Sequence, residues 1–264
     1  MTKSVAILGC GPSGLMVAHA ANMLGWNFRV FSKKRKSQLF GSQYLHKPIP
    51  GISEEPATVV TYHLEGTPEE YRQKVYGPSW DGTVSPEDLD HDHYAWDIRS
   101  AYDKMYSNYE EQIVNCEFKN VNGGFWYNQI VLKSYDLVIS TVPRKIWAEP
   151  GDVFASTKVW AIGDAPELGQ EAPFRPHDFN IICDGSEDVG WYRASNVFGH
   201  CTIEWPERTK PPIPRLALVE KPLFHNSTAA SDFHHLGRYG AWQKGVLTTD
   251  VFDQAFGILA GDKL

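Results

Sequence analysis

The chain has 264 residues with 25 basic and 32 acidic side chains, which gives a formal net charge of -7. A chain of this length can bury a full hydrophobic core, and its acidic balance argues against an extended nucleic-acid-binding surface. No apolar run reaches the length of a membrane-spanning helix, and the 4 cysteines are scattered without metal-ligand spacing. The sequence therefore predicts a cytoplasmic protein with no membrane partner.

Residues 4 to 32 predict a strand, a helix and a second strand. The apolar run Val5–Leu8 is typical of a buried parallel strand. Apolar residues then recur at helical spacing until Gly25, and Phe28–Phe31 has the pattern of the next strand. This order is that of a βαβ unit and predicts an α/β protein.

The turn between the first strand and the helix has the spacing GxGxxG, formed by Gly9, Gly11 and Gly14 with Pro12 and Ser13 inside it. The first glycine permits a tight turn, the second lets the backbone approach a pyrophosphate, and the third allows close packing of helix on strand. The N-terminus of the helix then offers free N–H groups to phosphate. This stretch predicts a Rossmann-like dinucleotide-binding domain.

The end of the second strand leaves the choice of nucleotide open. An acidic residue that binds the ribose hydroxyls is usual there, but this chain has Ser32, followed by Lys33 and a basic run over 33–36. The basic run could hold a 2′-phosphate, as in NADP binding, or Ser32 could bind the ribose weakly beside solvated lysines.

A glycine loop follows the basic run. Gly41, Ser42 and Gln43 could run along the face of a bound ring or form a plain loop, and Tyr44 and His46 could line the adjacent pocket.

The middle of the chain predicts an inserted region. Residues 87–109 have a helical pattern, whereas 179–183, 190–195 and 201–205 predict antiparallel strands. Residues 136–142 predict a parallel strand that returns to the nucleotide sheet. We therefore expect a nucleotide-binding domain of residues 1–50, 110–145 and 230–264, and a mostly antiparallel substrate-binding region of residues 51–109 and 146–229.

Two segments compete to complete the nucleotide site. Asp164 ends a predicted strand in a Gly-Asp pair, which in many flavoproteins holds the ribityl chain. The alternative lies near the C-terminus, where Arg238, Tyr239 and Gly240 precede a helix that begins near Thr249 and Asp250. We favour the C-terminal segment.

No metal site is predicted. Residues 91–93 read His-Asp-His, but no further ligand cluster lies nearby at useful spacing, so a solvated loop is favoured. No acid-base pair can be identified from the sequence, which indicates that a cofactor would carry the chemistry.

Several motifs together resemble the UDP-galactopyranose mutase and amine oxidase clan of flavoproteins. They are GCGPSG, the GSQY loop, STVP, GWYRAS followed by CTIEWP, and LGRYGAW before the last helix. The resemblance implies FAD rather than NADP, with Gly41 to Gln43 against the flavin and Arg238 to Gly240 holding the pyrophosphate and ring. Ser32 replaces the glutamate of the family, and the chain is shorter than its typical members.

The resemblance also implies a substrate site and an activity. Arg193, next to Tyr192, matches an arginine that in the mutases reaches the substrate diphosphate. From the residues alone, Arg193 could anchor an anionic group or be a surface arginine of a strand, and Trp191, Tyr44 and His46 could line the pocket. We expect an FAD-dependent oxidoreductase that abstracts a hydride from a small polar substrate, such as an amine or a nucleotide-linked group. A non-redox mutase acting on a nucleotide sugar and a non-catalytic FAD- or NADP-binding protein are the alternatives. The sequence makes no prediction about the oligomeric state.

Overall fold

The computed structural model describes residues 2–33, 39–78, 80, 82–85, 89–116, 120–121, 124–125, 132, 134–163, 179–211, 213–214, 216–227 and 233–261. Its strands, in chain order, are β1 Ser4–Leu8, β2 Asn27–Ser32, β3 Thr58–Glu65, β4 Asp92–Ala95, β5 Ile113–Asn115, β6 Asn120–Val121, β7 Gly124–Phe125, β8 Leu137–Ser140, β9 Val153–Ile162, β10 Asn180–Asp184, β11 Arg193–Val197, β12 His200–Pro206, β13 Ala217–Asn226 and β14 His234–His235. Its helices are α1 Pro12–Met23, α2 Pro68–Tyr76, α3 Ile98–Tyr109, α4 Gly237–Ala241 and α5 Thr248–Ala260.

A five-stranded parallel sheet forms the first layer, in the order β14-β8-β1-β2-β5. Its central strand, β1, pairs in parallel with β2 on one side and β8 on the other. Residues Val5 to Leu8 of this strand are completely buried, because both faces of the sheet are covered. The helix α1 connects β1 to β2, so the predicted βαβ unit is present.

Three helices cover one face of the parallel sheet. α1 consists largely of small apolar residues, and its buried side chains share one core with residues of α3 and α5. The side chain of Asp97 accepts a hydrogen bond from the N–H of Arg99 and caps the start of α3. The first and last parts of the chain therefore pack together through α1 and α5.

A seven-stranded sheet forms the second layer, in the order β13-β9-β12-β11-β10-β3-β4. Five of its neighbouring pairs are antiparallel, and β10 with β3 is the parallel pair. Tyr71 and Val75 of α2 pack against this sheet with Tyr44 of the preceding loop. The predicted combination of a parallel sheet with a mostly antiparallel region is confirmed.

The two sheets draw on different parts of the chain. The strands of the parallel sheet lie within residues 1–50, 110–145 and 230–264, and those of the seven-stranded sheet lie within 51–109 and 146–229. α3 also lies within 51–109, yet it packs on α1. Among the helices of the described residues, none has the length and apolar character needed to span a bilayer.

The predicted helix over 87–109 is only partly correct. Residues Asp92–Ala95 form β4 instead, because they pair with β3, and the helix begins at Ile98 after the Asp97 cap. The long strand β13 is also absent from the predictions. Its Pro222 is tolerated because β13 is an edge strand with a register shift between Pro222 and Phe224.

Candidate functional site

The glycine turn before α1 combines two crowded positions with an open one. Gly9 has a φ of +105°, and its N–H donates to the Phe31 carbonyl oxygen at 2.8 Å. A Cβ on Gly14 would lie 1.9 Å from the Gly9 carbonyl oxygen. A Cβ on Gly11, which is the N-cap of α1, would meet no heavy atom of the described residues within 4 Å. The space beside Gly11 is therefore open among the described residues.

The C-terminal turn lies directly against this loop. Gly237 has a φ of +75°, and a Cβ built on it would lie 2.6 Å from Ser13 Oγ. A Cβ on Gly240 would lie 2.7 Å from the carbonyl oxygen of Ser140, at the end of β8. Only glycine permits this approach at either position. The structure therefore brings the two ends of the described chain to one place.

Two polar side chains of the C-terminal segment have buried atoms that lack partners among the described residues. Arg238 Nε and Thr249 Oγ1 are buried and have no hydrogen-bond partner among the described residues. Thr249, at the start of α5, is only 2% exposed. Asp250 has a structural role, because its carboxylate accepts a hydrogen bond of 3.3 Å from the N–H of Leu247. Buried polar atoms without partners are uncommon in folded proteins and suit contact with a ligand.

The loop after the basic run approaches the same region from the second sheet. Gly41 has a φ of +77°, which favours glycine. Ser42 Oγ donates to Ser195 Oγ at 2.7 Å, and Gln43 Nε2 donates to the Phe40 carbonyl oxygen at 2.5 Å. Tyr44 donates its hydroxyl hydrogen to the Tyr62 hydroxyl at 3.2 Å. These bonds hold the loop against the sheet.

Lys47, directly after His46, connects the end of this loop with α5, because its Nζ lies 3.3 Å from Asp253 Oδ2. Burial is the main cause that lowers the pKa of His46 to about 4, and His93 adds to this effect. The carboxylate of Asp250 is near enough to oppose the shift. The rings of His46 and Tyr44 lie 4.4 Å apart between centroids. The end of the loop therefore contacts the helix that follows the predicted C-terminal turn.

A buried ionic cluster lies on the face of the second sheet. Glu204 is 2% exposed, and Lys221 Nζ donates a hydrogen bond to its Oε1. Arg193 Nη1 lies 3.5 Å from Glu204 Oε2, and Arg193 Nη2 donates to the Tyr71 hydroxyl at 2.9 Å. Lys221 also donates to the Tyr192 hydroxyl at 2.9 Å. We call Arg193, Glu204 and Lys221 the ionic cluster.

The charges of the ionic cluster stabilise one another. Burial would raise the pKa of Glu204, but the neighbouring cations of Lys221 and Arg193 outweigh it and bring the pKa to about 2. Burial lowers the pKa of Lys221 to about 8, although Glu204 opposes this shift. Glu204 is therefore ionised at neutral pH between two cations.

Other predicted residues are placed elsewhere. Trp191 packs in a separate cluster with Trp160 and Trp205, so it does not join Tyr44 and His46. Tyr192 is fully buried. Ser32 ends β2, and the exposed Lys33 follows it. Residues 34–38 and Asp164 lie outside the described residues.

The described ranges contain no group of three His, Cys, Asp or Glu side chains that could hold a metal ion. The rings of His91 and His93 lie edge to face, with centroids 4.9 Å apart.

The sequence predictions omit Glu204 and Lys221. The signal for Glu204 was its position between Ile203 and Trp205, since a charged residue in an otherwise apolar strand pattern indicates a buried partner. Lys221 had no such signal, because β13 was not predicted.

No protein-family model and no curated protein matches the chain. The tetrameric form of 2-methyl-3-hydroxypyridine-5-carboxylic acid oxygenase is similar in structure, with 11% identity and a TM-score of 0.50 over 96% of this chain and 86% of the oxygenase. Tetracycline destructase Tet(51) has 8% identity and a TM-score of 0.51, over 98% of this chain and 82% of its own. Chromopyrrolic acid-soaked RebC has 11% identity and a TM-score of 0.52, over 99% of this chain and 62% of RebC.

At these identities the comparisons show a shared fold. None of these three structures is named as a mutase or an amine oxidase, so they do not support the clan that the sequence motifs resemble. The chain has the mixed α/β fold of these proteins.

Proposed function

We propose that this protein binds FAD and is an FAD-dependent oxidoreductase. One observation supports this most: the glycine turn before α1 contacts Gly237, and the next residue, Arg238, has a buried Nε without a hydrogen-bond partner among the described residues. Gly11 leaves space in front of the helix N-terminus, where N–H groups and the helix dipole favour a phosphate. The C-terminal segment that contacts this turn through Gly237 also contains Arg238 Nε and Thr249 Oγ1, two buried polar atoms without partners among the described residues. Together they fit the pyrophosphate of a dinucleotide.

The residues have distinct roles in this proposal. The turn from Gly9 to Gly14 and the guanidinium of Arg238 would hold the pyrophosphate, and Ser32 with Lys33 would bind the adenosine end. The loop from Gly41 to Gln43 would lie along the isoalloxazine ring. Bound FAD would supply two-electron redox chemistry, which the protein side chains lack.

The loop at Gly41 and the C-terminal turn favour FAD over NADP. Ser42 and Tyr44 hold the loop against the second sheet, where it could lie along an isoalloxazine ring, and the family resemblance assigns the C-terminal turn to the same FAD. NADP binding by the residues that follow Ser32 is the second candidate cofactor assignment.

Within this proposal, monooxygenation of a small organic substrate is the first choice of reaction. A protein with this fold is named an oxygenase of a pyridine carboxylic acid. Hydride abstraction from an amine is the second choice, and it rests on the LGRYGAW motif that the chain shares with the amine oxidase clan. The mutase alternative is weaker, because the guanidinium of Arg193 is already engaged by Glu204 and Tyr71.

The visible spectrum of the purified protein tests the proposal. We expect flavin absorbance, and heat should release a compound with the mass of FAD. A colourless protein that binds NADPH would contradict it.

Monooxygenation needs two external electrons for each oxygen atom reduced to water, so reduction of the flavin by a nicotinamide donor supports that reaction. Direct anaerobic reduction by an amine supports the alternative.

An Arg238→Met variant should retain less FAD than an Asp164→Ala variant. Arg238 supplies a charged donor to the pyrophosphate, and loss of one charge-assisted hydrogen bond weakens binding by about tenfold or more. Asp164→Ala should leave retention largely intact. FAD content per protein, measured after gel filtration, gives the comparison. The opposite order would assign the second half of the site to Asp164.

A Thr249→Val variant should change stability and affinity in opposite directions. Val has the shape of Thr without the unpartnered buried hydroxyl, so the FAD-free protein should gain about 1 kcal/mol in free energy of unfolding. Affinity for FAD should fall by about fivefold if the hydroxyl binds the cofactor. Urea denaturation and FAD titration measure the two effects. Thr248→Val, at a partly exposed position, is the control and should change neither quantity much.

A further inference from the structure

The ionic cluster lies directly behind the loop that we assign to the flavin ring. A Cβ built on Gly41 would lie 2.7 Å from Glu204 Oε1, so the carboxylate touches the loop backbone. Lys221 donates a hydrogen bond to the same oxygen. The carboxylate of Glu204 therefore lies between the Lys221 ammonium group and the backbone of Gly41.

The ionic cluster carries an excess of positive charge. Arg193 and Lys221 contribute two positive charges, and Glu204 contributes one negative charge. Burial is the main cause that lowers the pKa of Lys221, and Glu204 opposes this shift. Charges act over longer distances in a protein interior than in water, because the effective dielectric constant is lower.

We propose that the Lys221 cation raises the reduction potential of the bound flavin. This inference rests on the proposed function. Reduction by two electrons and one proton adds one negative charge to the flavin ring, and a net positive charge behind Gly41 stabilises that product more than the neutral oxidised ring. Lys221 acts through Glu204 and the loop, so it is a positioning residue and not a catalytic one.

A comparison of two substitutions at position 221 tests this inference. Lys221→Met removes the charge, while Arg193 continues to compensate Glu204. Lys221→Arg retains the charge and its hydrogen-bond donors. Each FAD-loaded protein is reduced with dithionite in the presence of a dye of known potential. At a fixed potential we expect the ratio of oxidised to reduced flavin to rise about tenfold in Lys221→Met and to stay near the parental value in Lys221→Arg.

A second buried ion pair provides a matched control. Lys74 and Asp184 are each 9% exposed in their side chains, and Lys74 Nζ lies 3.2 Å from Asp184 Oδ1. Lys74→Met should leave the ratio unchanged, because this pair contacts Ser186 and not the Gly41 loop.

The outcomes separate this inference from the proposed function. If Lys221→Met binds FAD and its ratio of oxidised to reduced flavin equals that of the parent, the inference is overturned and the proposed function is not. A parental protein without flavin would overturn the proposed function. Lys221→Gln keeps a hydrogen-bond donor without the charge, and it serves as a second neutral variant. If neither neutral variant retains FAD while Lys221→Arg does, Lys221 has a structural role. That outcome would also overturn the inference.

Discussion

A Gly11→Val variant is expected to fold and to lose its FAD. The φ of Gly11 is -82° and its ψ is 179°, a conformation that valine adopts readily. The added atoms meet no heavy atom of the described chain within 4 Å of the Cβ position, so nothing needs to move. Valine is a poorer N-cap than glycine, which costs about 1 kcal/mol of folding free energy.

The same side chain would occupy the space where the pyrophosphate approaches the start of α1. Loss of two charge-assisted hydrogen bonds to backbone N–H groups lowers the affinity by about 100-fold or more. Flavin absorbance per protein should fall to background, while circular dichroism and urea denaturation show a folded chain.

Gly25 offers a control on the same helix. It lies at the opposite end of α1 with a φ of +70° and open space around its Cβ position. Gly25→Ala should cost about 1 kcal/mol through backbone strain and leave FAD binding intact. Full retention of FAD by Gly11→Val would show that the cofactor does not approach this helix end.

The parts of the structure that the sequence predicted best are set by neighbouring residues. The order of β1, turn, α1 and β2 follows from an apolar run, the spacing of three glycines and a helical period within about thirty positions. β8 is similar, because a short apolar run closed by Pro143 identifies it. These signals need no knowledge of distant contacts.

The remaining parts depend on distant partners. Residues 92–95 have a pattern compatible with a helix, and they become β4 because β3 provides an edge to pair with. β13 contains Pro222 and charged residues, and its pairing with β9 decides its structure. Glu204 and Lys221 become a pair only because β12 and β13 both border β9. Neither side chain predicts the other in the sequence.

The Gly14→Ala variant is expected to have the largest effect on folding. A Cβ at this position would lie 1.9 Å from the Gly9 carbonyl oxygen and 2.8 Å from the Gly9 carbonyl carbon. Both atoms belong to the backbone, and Gly9 is itself fixed by its hydrogen bond to Phe31. α1 would have to move away from β1. Alanine gains about 1 kcal/mol in helix propensity over glycine, but displacement of a packed helix costs about 3 kcal/mol or more.

The net loss, about 2 kcal/mol or more, is a substantial part of the roughly 5–15 kcal/mol by which a domain is stable. We expect a lower midpoint in urea and a fall in soluble protein, and FAD would be lost with the fold. Gly11→Ala is the matched control, since the same methyl group three residues earlier meets open space and should leave the midpoint within about 1 kcal/mol of the parent. Equal stability of the two alanine variants would show that α1 does not pack on β1 as closely as described. A large difference would establish that Gly14, unlike Gly11, is required for the close packing of α1 on the turn after β1.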